Sequence, residues 1–178
     1  MNLLNMKTIK INFLTIYFLL LLFLCGYLKV GLIIFFIVIF HELGHILFIK
    51  LFNYKIVSIN IYPFGGITKI NKDINTPVNK ELIIAAAGVI FQLLLFIIII
   101  ILPISNYNKS LFYKYNLSIL IFNLLPIIPL DGSIILNSLL NKIFSYKLSY
   151  YIYLIISFIT LILYILTNYW LSLNNYLI

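Results

Sequence analysis

The chain has 178 residues, of which 64% are hydrophobic and 9% are charged, and its mean hydropathy is +1.16. Twelve basic and four acidic side chains cannot cover a soluble globule of this size, because soluble domains keep about a quarter of their residues charged. The apolar content equally excludes a disordered chain. The net charge of +8 comes from lysine alone, and no basic face interleaved with aromatics is present, so nucleic acid is excluded as a partner. The lipid bilayer is the remaining solvent.

In chain order, spanning helices are expected at roughly 10–28, 30–51, 82–104, 109–125 and 147–170, since a crossing needs about 20 mostly apolar residues. The first run ends at Cys25, the only cysteine, so no internal disulfide can form. Leu22, Phe23 and Leu24 before it are too bulky for a cleavage site, so the run reads as a retained span rather than a signal peptide. Between the second and third spans, Val57, Ile59 and Ile61 alternate with Ser58, Asn60 and Tyr62, as in a half-buried strand. Gly65 and Gly66 then separate this run from Ile67-Thr68-Lys69-Ile70, which predicts a β-hairpin over about 56–70. Glu81 opens the third helix, where the dipole favours an acid, and it reads with Asp73 as a solvated charge. Pro126 and Pro129 break the fifth apolar stretch, and a short helix is expected at about 132–142.

The fold class expected is therefore an all-α polytopic membrane protein, with five helical spans and a small membrane-associated β-hairpin, forming one domain over 1–178. Six spans result if 109–125 and 130–145 each make a distorted crossing. Five spans with a cytoplasmic N-terminus put nine lysines inside and three outside, the positive-inside pattern. No appended soluble domain is expected after Trp170.

The scarce ionisable groups are not scattered. Both histidines and one of the four acids fall within His41-Glu42-Leu43-Gly44-His45. Positions i and i+4 share a helix face, so His41 and His45 can turn two imidazoles towards one ion. Glu42 is adjacent and suited to act as general base, which is the HExxH arrangement of zinc peptidases. Ionisable groups inside a bilayer cost about 2.5–3.5 kcal/mol each and mark function by default. A catalytic zinc needs a third protein ligand and an open position. Asp131 is the candidate, because it follows the Pro126-Ile127-Ile128-Pro129-Leu130 segment within apolar sequence. Prolines there should unwind the backbone, which is tolerated at membrane depth only against protein or a wet cavity. The alternative for Asp131 is a cap on the helix that follows it. Asn123 is a polar amide in an apolar run, suited equally to holding substrate backbone or to an interhelical hydrogen bond.

Together, His41-Glu42-Leu43-Gly44-His45 and Asn123-x-x-Pro126-x-x-Pro129-Leu130-Asp131-Gly132 resemble the two signatures of the site-2 protease family of intramembrane zinc proteases. Pro63-Phe64-Gly65-Gly66 resembles a loop of its small bacterial branch, which includes the stage IV sporulation protease. The resemblance covers about residues 30–142. It implies one Zn²⁺ held by His41, His45 and Asp131, with Glu42 as the catalytic base. It also implies substrate contacts by Asn123, and Phe64, Gly65 and Gly66 are read as substrate-binding on a strand edge. The implied activity is cleavage of a membrane-associated protein, such as a sigma-factor precursor or an anti-sigma factor. A membrane regulatory partner or a homo-oligomer would fit that role. The sequence departs from the family in three places. The third helix reads Ala87-Gly88-Val89-Ile90-Phe91-Gln92 where many relatives carry Ala-Gly-Pro and then Asn. Ser133 stands where a second glycine often follows Asp-Gly. Neither the C-terminal regulatory domain of the sporulation protease nor the PDZ domain of other branches is expected. Two rivals stand beside the protease reading, a membrane metal transporter and a catalytically silent membrane binding protein. Water must reach the site through a polar channel, and Asn123 or Gln92 is expected to line it.

Overall fold

The computed structural model describes residues 9–63, 65–71 and 77–176. The chain runs β1 (Ile9–Ile11), α1 (Phe13–Leu24), α2 (Leu28–Leu51), β2 (Lys55–Tyr62), β3 (Gly65–Asn71), α3 (Val78–Ile101), α4 (Asn106–Leu124), α5 (Asp131–Ile143) and α6 (Tyr146–Tyr176). Helices dominate, joined by one small sheet. Three helices are long and apolar enough to cross a membrane: Leu28–Leu51, Val78–Ile101 and the Tyr146–Trp170 stretch of α6. Two expected spans fall short of that measure. The run expected at 10–28 forms only 12 helical residues in α1, and α4 carries Lys109 and Lys114 in its first half.

The shortness of α1 has a geometric cause. A third strand, β1, pairs parallel with β2, with Ile9 opposite Ile59 and Ile11 opposite Ile61. The chain therefore leaves the sheet at Ile11. Asn12 N–H donates to Ile61 C=O at 2.9 Å, and its side chain caps α1 by accepting from Leu14 N–H. The buried Thr15 hydroxyl donates to the same carbonyl at 2.9 Å. Because α1 starts at this level, its roughly 18 Å reaches the turn that starts α2.

The expected hairpin is thus two strands of a three-stranded sheet in the order β1-β2-β3. The antiparallel pair places Tyr62 opposite Gly65 and Ile61 opposite Gly66, with an irregularity between Ile56 and Ser58. Gly65 and Gly66 are accordingly the first residues of β3 rather than the turn. Ile49, Ile56 and Ile59 bury together against Ile46, Ile70 and Ile84, which fixes the sheet on α2 and α3. β1 covers one edge of β2, and the far edge of β3 pairs with no strand among the described residues.

A second core sits between α2, α3 and α4, built from Ile33, Ile37, Leu95 and Ile99. Close approach of α2 and α3 depends on small residues, as in membrane helix pairs generally. A Cβ on Gly44 would fall 2.5 Å from Ala87 O. α2 ends where Asn53 takes the left-handed conformation, φ 61°, and Tyr54 N–H closes the turn on Ile49 O. Between α4 and α5 the chain is non-helical from Leu125 to Leu130, as the two prolines require. Ser157 of α6 steadies that segment by accepting from Ile128 N–H at 2.9 Å.

Candidate metal centre

His41 and His45 lie one turn apart on α2, and their Nε2 atoms are 2.9 Å apart. Asp131 Oδ2 is 3.0 Å from His41 Nε2 and 3.3 Å from His45 Nε2. Three donors from two distant parts of the sequence therefore converge. Asp131 is the first residue of α5, and its side chain makes no cap to that helix. The capping alternative is set aside on this geometry, because the carboxylate turns to the imidazoles.

The tautomers follow from the partners behind the rings. His45 Nδ1 lies 2.7 Å from Ile84 O. A carbonyl only accepts, so Nδ1 carries the proton, and Nε2 of the neutral ring offers a lone pair. His41 Nδ1 lies 3.0 Å from Gln92 Oε1, which places its lone pair in the same way. Asp131 Oδ2 is buried without a hydrogen-bond partner, although it stands close to both nitrogens. Two lone pairs and an anionic oxygen facing one another repel unless a cation lies between them. Tetrahedral zinc with bonds of about 2.0–2.1 Å would set its donors about 3.3 Å apart, close to the separations seen. Room is kept for such an ion. A Cβ on Gly88 would fall 2.5 Å from His45 Nε2 and 2.7 Å from His41 Nε2. The donor set therefore fits zinc.

Glu42 stands beside this triangle. Its carboxylate comes within 4.8 Å of the imidazole donors, but Oε1 accepts from Gly66 N–H at 2.8 Å. The first residues of β3 thus hold the acid. A Cβ on Gly66 would fall 2.6 Å from Glu42 Cδ, so a side chain there would displace the carboxylate. At Gly65 a Cβ would meet nothing within 4 Å.

A cavity of about 920 Å³ opens onto these groups, walled by α1, α2, the sheet, the start of α3 and the segment around Asp131. Asn123 lies on its wall beside Pro129 and Leu130, and its amide has no hydrogen-bond partner among the described residues. The interhelical bond weighed for it does not form there. Glu81 also lines the cavity. Phe64 and Asp73 lie outside the described residues. Gln92 is fully buried and stands behind His41, so of the two channel candidates only Asn123 lies on the cavity wall. Asn116, absent from the sequence reading, contacts Gln92 from α4. Its only advance signal was an amide in an apolar helix, a trait shared with Asn123.

The architecture is that of a helical membrane-type protein in which two histidines and an aspartate converge beside a strand edge unpaired among the described residues, and comparison with known proteins gives its lineage. The family model for peptidase family M50 matches residues 29–114 and 105–167, and the chain belongs to that family. It is 36% identical to stage IV sporulation protein FB of Bacillus subtilis over 123 residues, covering 67% of this chain and 43% of that protein. It is 34% identical to zinc metalloprotease MJ0392 of Methanocaldococcus jannaschii over 116 residues, covering 61% of this chain and 33% of that protein. The chain thus spans less than half the length of these relatives. Among solved structures it resembles the site-2 protease from Methanocaldococcus jannaschii, with a TM-score of 0.70 and 28% identity, covering 99% of this chain and 86% of that one.

Proposed function

We propose that this chain is an intramembrane zinc endopeptidase that hydrolyses peptide bonds of a membrane-embedded or membrane-associated protein. The observation that carries the reading is the convergence of His41 Nε2, His45 Nε2 and Asp131 Oδ2, with Glu42 held beside them by a strand edge. His41, His45 and Asp131 are the ligands of one Zn²⁺. When bound, zinc polarises the scissile carbonyl and makes water acidic enough to ionise near neutrality. Glu42 takes the proton from the attacking water and passes it to the leaving nitrogen, as a general base and then a general acid.

The substrate reaches these groups as an extended segment. Gly66 N–H points away from β2, towards Glu42. Alternation along β3 turns the backbone of Thr68 and Ile70 to the same side, and all three residues line the cavity. A substrate strand adding to this edge would run along the cavity, held by main-chain hydrogen bonds. The unpartnered Asn123 amide is available to hold the substrate backbone. Gly65 belongs to the same substrate side, and Phe64, next to it in sequence, is included among the substrate-binding residues.

The topology within this reading is five spans, α1 and α4 crossing with help from their neighbours, and a cytoplasmic N-terminus. The lysine asymmetry supports that orientation. Pairing of β1 with β2 accords with α1 and α2 forming a hairpin, because residues 9–11 and 55–62 then share one side of the α1–α2 pair. A sigma-factor precursor or an anti-sigma factor is the substrate class taken forward, and a membrane regulatory partner or homo-oligomer accords with it.

The test is co-expression with single-span candidate substrates of this class, comparing wild type with Glu42→Gln. Cleavage should fall by about 10²–10⁴-fold while bound zinc is unchanged. Cleavage by Glu42→Gln at the wild-type rate would end the proposal, and zinc uptake into vesicles by that variant would favour a transporter.

A further inference from the structure

We infer that Gln92 and Asn116 are positioning residues for the metal centre: a directional chain of hydrogen bonds, beginning at a backbone carbonyl, sets which nitrogen of His41 faces the ion. The inference rests on the metal reading above.

Both amides are shut away from solvent, Gln92 at 0% and Asn116 at 2% exposure. Leaving such a group without partners in an apolar interior costs several kcal/mol by transfer scales, so their orientations are not free. The chain starts at Gln92 C=O, which lies 3.0 Å from Asn116 Nδ2. A backbone carbonyl cannot donate, so the atom of Asn116 facing it is the NH₂ group. That leaves Asn116 Oδ1 facing Gln92 Nε2 at 3.4 Å. An oxygen facing an oxygen would repel, so Gln92 presents its NH₂ to Asn116 and its Oε1 to His41. Oε1 lies 3.0 Å from His41 Nδ1. His41 must therefore donate from Nδ1 and keep its Nε2 lone pair for the ion. Each amide flip is forbidden by the link before it, and the first link is main chain.

The arrangement also selects neutral partners. Metal-bound histidines commonly donate their second N–H to a carboxylate or a carbonyl. Here His41 has an amide oxygen and His45 has Ile84 O. Zn²⁺ with Asp131 and Glu42 already sums to zero formal charge. A neutral outer partner preserves that balance in a low-dielectric interior, where a further charge would be expensive. The chain also gives α4 a stake in the site, although α4 supplies none of the three ligands.

The test measures zinc affinity of the detergent-solubilised full chain by competition with a chromophoric chelator, together with the visible spectrum of the Co²⁺-loaded protein. Gln92→Met keeps length and removes the acceptor; zinc should bind about 10–100-fold more weakly, with an altered Co²⁺ spectrum. Gln92→Glu keeps an oxygen towards His41 Nδ1 but adds the charge that the neutral partner avoids, so it should bind zinc more tightly than Gln92→Met and more weakly than wild type. Asn116→Leu leaves Gln92 present but unheld, and should weaken zinc binding to a lesser degree. It also keeps the question decidable if Gln92→Met does not fold. Wild-type affinity and spectrum in folded Gln92→Met, or in Asn116→Leu where only that variant folds, would overturn the inference and leave the amides as interhelical glue. Asp131→Ala is the control. If it too binds zinc like wild type, the metal reading itself has failed, and this inference with it.

Discussion

Gly66 N–H donates to Glu42 Oε1 at 2.8 Å, so a β-strand reaches into a helical site and holds its acid by main chain alone. The proposed base is thereby tied to the same strand edge that is proposed to receive substrate. Position of the carboxylate and position of the scissile bond are set by one element.

That coupling makes Gly66 and Gly65 a matched pair of tests. Gly66→Ala puts a methyl into the Glu42 carboxylate, and displacement on that scale should lower cleavage by about 10²-fold. Zinc content should hold, since Gly66 does not touch the ligands. Gly65→Ala meets open space and leaves the Glu42 carboxylate in place, so it should lose far less activity than Gly66→Ala. Equal activity of the two variants, read by substrate co-expression, would refute the arrangement.

Removal of a ligand should separate metal binding from folding. Asp131→Ala deletes the anionic donor 3.0 and 3.3 Å from the two imidazoles. Loss of outer partners alone costs about 10–100-fold in affinity, so loss of a ligand should exceed about 100-fold. Metal analysis of purified protein checks this. A full zinc complement in Asp131→Ala would exclude the residue as a ligand.

Gly88→Ala is predicted to expel the ion with all three proposed ligand residues unchanged. Its methyl would crowd His45 Nε2 at 2.5 Å, the space a metal and its water need. The expected outcome is protein that folds but carries little zinc and cleaves at least about 10²-fold more slowly. Wild-type zinc occupancy would show that the rings yield to the methyl.

Thr15→Val should loosen α1 from the sheet. The valine keeps the shape and removes the hydrogen bond to Ile61 O, a loss of about 1 kcal/mol, plus the burden of an underused carbonyl. Thermal unfolding in detergent should show Thr15→Val below wild type and Thr15→Ser close to it. Identical midpoints for Val and wild type would mean that Asn12 N–H alone suffices.

The ionisable part of the site was readable in sequence for an energetic reason. A bilayer penalises such groups, so His41, Glu42, His45 and Asp131 stand out against apolar neighbours. Amides are cheaper to bury, and α4 alone carries Asn106, Asn108, Asn116 and Asn123; nothing local marks Asn116 as the one that meets Gln92. Strand β1 escaped for a different reason. Three residues, Ile9 to Ile11, are too few to show alternation, and their partner lies about fifty residues away. Without β1, the start of α1 could not be placed, and a full-length first span was the natural expectation. The glycines of β3 were read as a turn because Gly-Gly pairs usually make one; the demand for a bare backbone comes from Glu42, which only the fold brings there.

The placing of β3, and not β1, along the cavity carries a consequence for selectivity. With only that outer edge facing the cavity, an incoming chain has one register surface there to match and must surrender its own helix to use it. Helix-weakening residues such as glycine, proline or paired β-branched side chains would then decide where a substrate yields. The enzyme would read how readily a segment unwinds before it reads which side chains the segment bears.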